Sequence, residues 1–152
     1  MRELLKIYKN PIPTVDAIIQ NSSSILLVKR VKDPYKNLFA LPGGFVNEGE
    51  TIEEALVREV YEETSLEVHP IEILGVYSDP TKDPRGHMLT VVFIVLVIRG
   101  NPTTGDDINE ISWMPINKIN DIDIAFDHKL IINDYLKWKK EGGTYWTRKK
   151  RH

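Results

Sequence analysis

The sequence predicts an α/β domain, a β-sheet packed between helices. Three observations carry that expectation. Short branched-aliphatic runs recur along the chain, a capped amphipathic segment interrupts them midway, and a second helical segment follows the last of them. The 152 residues, 41% of them hydrophobic, suit one domain with a substantial core. That domain is expected to span 1–152, with 1–10 and 142–152 as peripheral segments.

Taken in order, Val15 to Ile19 and Ile25 to Val28 read as strands, and the polar Gln20 to Ser24 between them suggests a hairpin. After a loop with Asp33-Pro34, the runs Leu38 to Leu41 and Phe45-Val46 flank Pro42-Gly43-Gly44. That tripeptide is either a tight turn or a place where missing side chains let backbone approach a metal or phosphate. Thr51 to Thr64 is the strongest helix: Thr51 and Glu54 make a capping box, and Ile52, Ala55, Leu56 and Val60 recur at helical spacing. Leu66 to Tyr77 is strand-like at both ends, and Ser78 to His87 is a loop with two prolines and a glycine. Leu89 to Ile98 is apolar on both alternations, as a buried central strand is. The loop Arg99 to Asn109 precedes a short strand at Ile111 to Met114. Asp127 to Lys140 forms a last helix, with Leu130, Ile131, Tyr135 and Trp138 available for packing and Gly142-Gly143 ending it.

Composition narrows the function. A net charge of −2 argues against a nucleic-acid coat protein. Without cysteine there is no disulfide framework, thiolate metal site or thiol nucleophile, and a reducing cytoplasm is the expected location. Met1 to Asn10 lacks a signal-peptide core, and the longest apolar run is half the ~20 residues of a spanning helix, so no membrane role is expected. The basic run Arg148 to His152 reads as a solvated terminus rather than an RNA contact. Tyr145 and Trp146 before it read as exposed aromatics able to dock on a second subunit, hence an expected homodimer.

The central helix carries the chemistry. With Ile52 at zero and ~100° per residue, Leu56 falls near ~40°, Val60 near ~80° and Ala55 near ~300°, which defines the buried face. Glu59, near ~340°, and Glu63, near ~20°, lie within that face, and Glu62, near ~280°, borders it. Carboxylates one turn apart on an inward stripe repel and lose solvation unless positive charge neutralises them. Arg58, near ~240°, can pair with Glu54 and Glu62 at four-residue spacing but cannot neutralise three carboxylates. A hard divalent cation with oxygen ligands can, and magnesium needs few carboxylates when phosphates and water complete its shell.

Gly44, Glu50, Arg58, Glu59, Val60, Glu62, Glu63 and Leu66 resemble the Nudix box, G-x5-E-x7-R-E-U-x-E-E-x-G-U with U aliphatic, spanning 44–66. One position departs: Ser65 stands where the pattern has glycine, at a cost of roughly 1 kcal/mol if the residue is left-handed. Leu41 to Phe45 is similar to the usual lead-in and Glu110 to Pro115 to a late strand of many members. Tyr77 to His87 resembles the loop that ADP-ribose pyrophosphatases carry after the box.

The resemblance implies a Nudix-type α/β/α sandwich with a mixed β-sheet, and Mg2+-dependent hydrolysis, Mn2+ substituting, of a nucleoside diphosphate linked to another group. ADP-ribose, giving AMP and ribose 5-phosphate, is the leading substrate. Another nucleotide, such as an oxidised nucleoside triphosphate or a dinucleotide, and a non-hydrolytic ADP-ribose sensor are the alternatives. By the same resemblance Gly43, Glu59, Glu62 and Glu63 hold metal, and Glu62 or Glu110 activates water. Arg58 orients the carboxylates, and Glu50 either ligates or braces the loop. Arg30, Gly44, Arg85 and His87 are candidate substrate contacts, Phe39, Phe45 and Tyr77 candidate adenine stackers, and Trp113 is assigned to packing.

Overall fold

The computed structural model describes residues 9–103 and 108–151, with backbone alone at 108 and 109; expectations for 1–8, 104–107 and His152 lie outside the described residues. The strands divide between two sheets. β1 (Ile12–Ile18), β5 (Gly43–Phe45), β6 (Glu67–Tyr77), β7 (Met88–Arg99) and β9 (Tyr145–Trp146) form the first, in the order β5-β1-β7-β6-β9. It is mixed: β1 and β7 run parallel, as do β6 and β9, while β1–β5 and β6–β7 are antiparallel. In the second sheet β3 (Ser24–Arg30) pairs antiparallel with β8 (Ile108–Pro115) along its length, and with β2 (Gln20–Asn21) and β4 (Phe39–Ala40) at its two ends. Helix α1 (Ile52–Thr64) precedes β6. A short 3-10 segment, Ile116–Asp121, leads to α2 (His128–Glu141).

Alternation along the inner strands explains the layering. Val15, Ala17 and Ile19 on β1 and its continuation, Leu26 on β3, and Phe93 and Val95 on β7 pack with Ala55, Leu56 and Val60 of α1. Their neighbours Ile18, Ile25, Leu27, Val92 and Ile94 point the other way, into a second core with Ile131, Ile132 and Tyr135 of α2. Strands buried on both faces must be apolar on both alternations. The result is the α/β/α sandwich with a mixed sheet expected from the sequence.

Local readings change in four places. The polar turn closes a hairpin between β2 and β3, pairing Gln20 with Ile25 and Asn21 with Ser24. Val15 to Ile18 instead belongs to the other sheet, because a strand apolar on both faces takes neighbours on both edges, here β5 and β7. Gly43 and Gly44 are not a turn; they lie in β5, opposite Asp16 and Val15. The outer end of β7 is not buried: Leu96, Val97 and Ile98 are 57%, 42% and 59% exposed. Nor are both aromatics near the C-terminus exposed, since Tyr145 is buried and only Trp146 faces solvent.

Candidate active site

Helix α1 starts at the expected box: the Thr51 hydroxyl accepts from the Glu54 amide at 3.1 Å, and the Glu54 carboxylate accepts from the Thr51 amide at 3.4 Å. That reciprocal cap fixes the helix register, hence the direction of each glutamate. The helix ends at Ser65, which is left-handed (φ 65°) as the pattern requires. Thr103 supports the turn: its amide donates to the Thr64 carbonyl at 2.8 Å and its hydroxyl to the Ser65 hydroxyl at 2.7 Å.

Arg58 is the hub of the acidic face. Its Nε and Nη2 grip both Glu50 oxygens at 2.6 and 3.0 Å, Nη2 also donates to the Phe45 carbonyl at 2.9 Å, and Nη1 reaches Glu59 at 2.9 Å and Glu62 at 3.2 Å. Planar, two-point pairing of this kind is the strong form of the interaction. Its first partner is thus Glu50, not the expected Glu54, whose carboxylate is engaged by the cap. Both Glu50 oxygens are also committed, one of them to the Asn47 amide as well. Glu50 braces the loop, and the hydrogen bonds from Arg58 and Asn47 hold its carboxyl below the ordinary range.

Glu59 and Glu63 face inward as the angles predict. A Cβ on Gly44 would lie 2.4 Å from the Glu59 carboxyl carbon, so glycine here makes room for the carboxylate. The Gly43 amide donates to Glu63 Oε2 at 3.2 Å. Burial raises the Glu63 carboxyl well above its usual range, with the Gly43 amide opposing and the charges of Glu59 and Asp16 reinforcing. Burial also raises Glu59, against the pull of Arg58. Glu62 is half exposed and borders the cleft.

These groups line one wall of a cleft of about 370 Å3, within the range of small-molecule sites. Arg30, Lys82, Asp83, Arg85, Phe45 and Phe126 line the same cleft. The Arg85 guanidinium sits 5.3 Å from the Phe45 ring centre and 5.9 Å from that of Phe126, held by Asp83 at 2.7 Å. Arg30 stacks on Phe126 at 5.0 Å, and burial lowers its pKa from the usual arginine value. At the inner end the Leu41 amide donates to His128 Nδ1 at 2.9 Å, leaving Nε2–H to donate to Asp16 at 3.2 Å. The pairing holds the imidazole in place and orients Asp16 beside Gly43. Among the described residues no group hydrogen-bonds either Asp127 oxygen, and burial raises its carboxyl, against the charge of Lys82 3.7 Å away.

The structure therefore brings together Gly43, Gly44, Arg58, Glu59, Glu62, Glu63, Arg30 and Arg85. It does not bring two others to the cleft. Glu110 is exposed on β8 opposite Lys29, and His87 staples its own loop, Nε2 lying 2.9 Å from the Ser78 carbonyl. Of the aromatics, Phe45 lines the cleft, Phe39 packs against the core and Tyr77 is fully buried in it. Trp113 packs against the α1 core. Asp16, Lys82, Asp83, Phe126, Asp127 and His128 were not singled out from the sequence. Asp16 left a signal, a carboxylate inside the apolar run Val15 to Ile19; the others lie in loops or at a helix start, where no periodicity marks them.

Residues 10–135 match the family pattern described as the NUDIX domain. The chain belongs to the NUDIX family. It is 49% identical over 134 residues to an ADP-ribose pyrophosphatase of Methanocaldococcus jannaschii, covering 88% of this chain and 78% of that protein. Among solved structures it resembles the NUDIX domain of Shewanella oneidensis NrtR complexed with ADP ribose, with a TM-score of 0.77 and 28% identity over 90% of this chain and 96% of that one. A bifunctional NMN adenylyltransferase/ADP ribose pyrophosphatase of Francisella tularensis, complexed with AMP and an Mn ion, matches with a TM-score of 0.74 and 28% identity, covering 93% of this chain and 45% of that one. The NUDIX glutamates thus lie on a fold shared with proteins solved with such nucleotides.

Proposed function

We infer that this NUDIX hydrolase cleaves the diphosphate of ADP-ribose to AMP and ribose 5-phosphate. One observation carries the reading: the carboxylates of α1 and the cations Arg30, Lys82 and Arg85 line a single cleft. A diphosphate needs positive charge along its oxygens, and the residues for binding and for cleavage are within one ligand's span. The similarity to the Methanocaldococcus pyrophosphatase supports ADP-ribose over other diphosphates.

The donor set fits a hard divalent cation. Glu59 and Glu63 are partly buried carboxylates, each raised by removal from water, with the charge of Glu59 raising Glu63 further, and their neighbours Glu62 and the Gly43 backbone are oxygen donors too. Among the described residues no three acidic or histidine side chains already converge on one point; Arg58 holds Glu59 and Glu62 instead. Glu59, Glu62 and Glu63, with the Gly43 carbonyl, would hold Mg2+, or Mn2+ as in the Francisella protein, supplying charge against the diphosphate and a more acidic water.

The chain's own groups do the rest. Arg30 and Arg85, which line the same cleft, orient the diphosphate, and Arg58 keeps the acidic side chains in register with β5. Glu62, exposed and beside the other two, takes the proton as water attacks phosphorus; the bridging P–O bond breaks and its electron pair leaves with the second phosphate. Glu62 lines the cleft and Glu110 is not among its lining residues, which favours Glu62 as base.

The test is competition: kcat/KM for ADP-ribose against NADH, diadenosine polyphosphates and an oxidised nucleoside triphosphate. ADP-ribose should lead; a preferred triphosphate would move the chain to another substrate class, and binding without turnover would make it a sensor. A cytoplasmic location is proposed from the cysteine-free sequence alone; separately, none of the described helices is long and apolar enough to cross a membrane. Ile71, Leu96 and Ile98, exposed on neighbouring strands, offer apolar surface for a homodimer. Sedimentation should show a dimer that Leu96→Glu dissociates.

A further inference from the structure

The basic C-terminal run was expected to be a solvated terminus, yet Arg151 is docked. Its Nε and Nη2 bind the two Asp134 oxygens at 2.7 Å each, and Nη2 also donates to the Trp146 carbonyl at 2.9 Å. The Asp134 side chain is 3% exposed, and its Oδ2 also accepts from the Tyr77 hydroxyl at 2.8 Å. Tyr77 is the last residue of β6. Its carbonyl accepts from Lys82 Nζ at 3.0 Å, and the next residue, Ser78, donates its amide to the Thr147 hydroxyl at 2.7 Å. Between these anchors β9 lies against Gly75 and Val76, where a Cβ on Gly75 would come within 2.0 Å of the Tyr145 carbonyl oxygen.

All these contacts meet at the root of the loop 78–87, which delivers Lys82, Asp83 and Arg85 to the cleft. We propose that Arg151 is a positioning residue: by gripping Asp134 it locks Tyr77 and the strap 145–151, and so fixes the loop that holds the cationic wall of the site. The planar fork of arginine matches both carboxylate oxygens at once, which a lysine cannot do. The glutamates of α1 lie on another element and do not touch the strap. Loss of the grip should therefore weaken substrate binding more than chemistry. In its kinetic arm the inference rests on the ADP-ribose reading; in its structural arm it does not.

The experiment compares the full chain with Arg151→Ala, Arg151→Lys and Thr147→Val, the last removing one hydroxyl and no charge. Hydrogen exchange is measured without substrate, and kcat and KM with ADP-ribose. The expected result is about tenfold faster exchange in 78–87 for Arg151→Ala and Thr147→Val, with α1 unchanged. KM rises about fivefold while kcat stays within about twofold, and Arg151→Lys is intermediate. Unchanged loop exchange and KM in both Arg151→Ala and Thr147→Val would overturn the proposal. So would loss of protection spread equally over α1 with a parallel fall in kcat, the mark of a merely structural contact. If the wild type fails to turn over ADP-ribose while loop exchange still responds, the substrate reading falls and the positioning role stands.

Discussion

Glu63 pairs with the Gly43 amide at the buried end of the acidic stripe, where removal from water holds its carboxyl above the ordinary range. The folded chain therefore favours the protonated form more than the unfolded chain does. Its contribution to stability is greatest below the unfolded value near 4.5 and is lost as pH rises through the folded one. Glu63→Gln should flatten this slope and make the metal-free protein more stable at neutral pH. The same variant should lower kcat by about two orders of magnitude or more, since it removes an anionic donor. Urea midpoints across pH and a rate assay check both; near-normal activity would remove Glu63 from the site. Gly44→Ala acts on the same group from the opposite side. The new Cβ must push the Glu59 carboxylate away, so kcat should fall about tenfold or more while circular dichroism stays unchanged. At this scale the glutamates were legible because helical spacing turns sequence position into direction. The rest of the cleft was legible only in part: Arg30 and Arg85 were read as candidate contacts, whereas Lys82, Asp127 and His128 reach the cleft through loop geometry and long-range pairing, which no local period encodes.

Helix α1 is specified at both ends by short-range signals, and both can be tested. Thr51→Ala removes the hydroxyl that accepts from Glu54 and should cost about 1 kcal/mol in denaturant unfolding. Ser65→Gly relieves a left-handed residue and should gain up to about 1 kcal/mol, reduced by loss of the hydroxyl contact to Thr103. The cap and the helix span could be read from the sequence for this reason. The hairpin could not be placed so simply. Gln20 to Ser24 signals a turn, but whether the preceding run joins the same sheet depends on β5 and β7, which arrive much later in the chain. Pro42-Gly43-Gly44 left two readings open, and the turn is the one that fails: the glycines are demanded by Asp16 and Glu59 pressing on an extended strand.

At the scale of the molecule, the two sheets and two helices set a cleft lined by the α1 glutamates, the loop 78–87, the end of β3 and the start of α2. The sandwich was legible because its inner strands are apolar on both faces and its helices on one. The exposed end of β7 was read as buried because an apolar run looks alike in a core and on an uncovered surface. The central claim is that the carboxylates of α1 serve cleavage of a diphosphate bound across that cleft. The most direct measurement is product analysis after incubating the wild type and Glu63→Gln with ADP-ribose, with and without Mg2+. The account predicts AMP and ribose 5-phosphate from the wild type only when metal is present, and almost none from the variant. Metal-independent products, or no turnover of any nucleotide diphosphate with metal present, would contradict it.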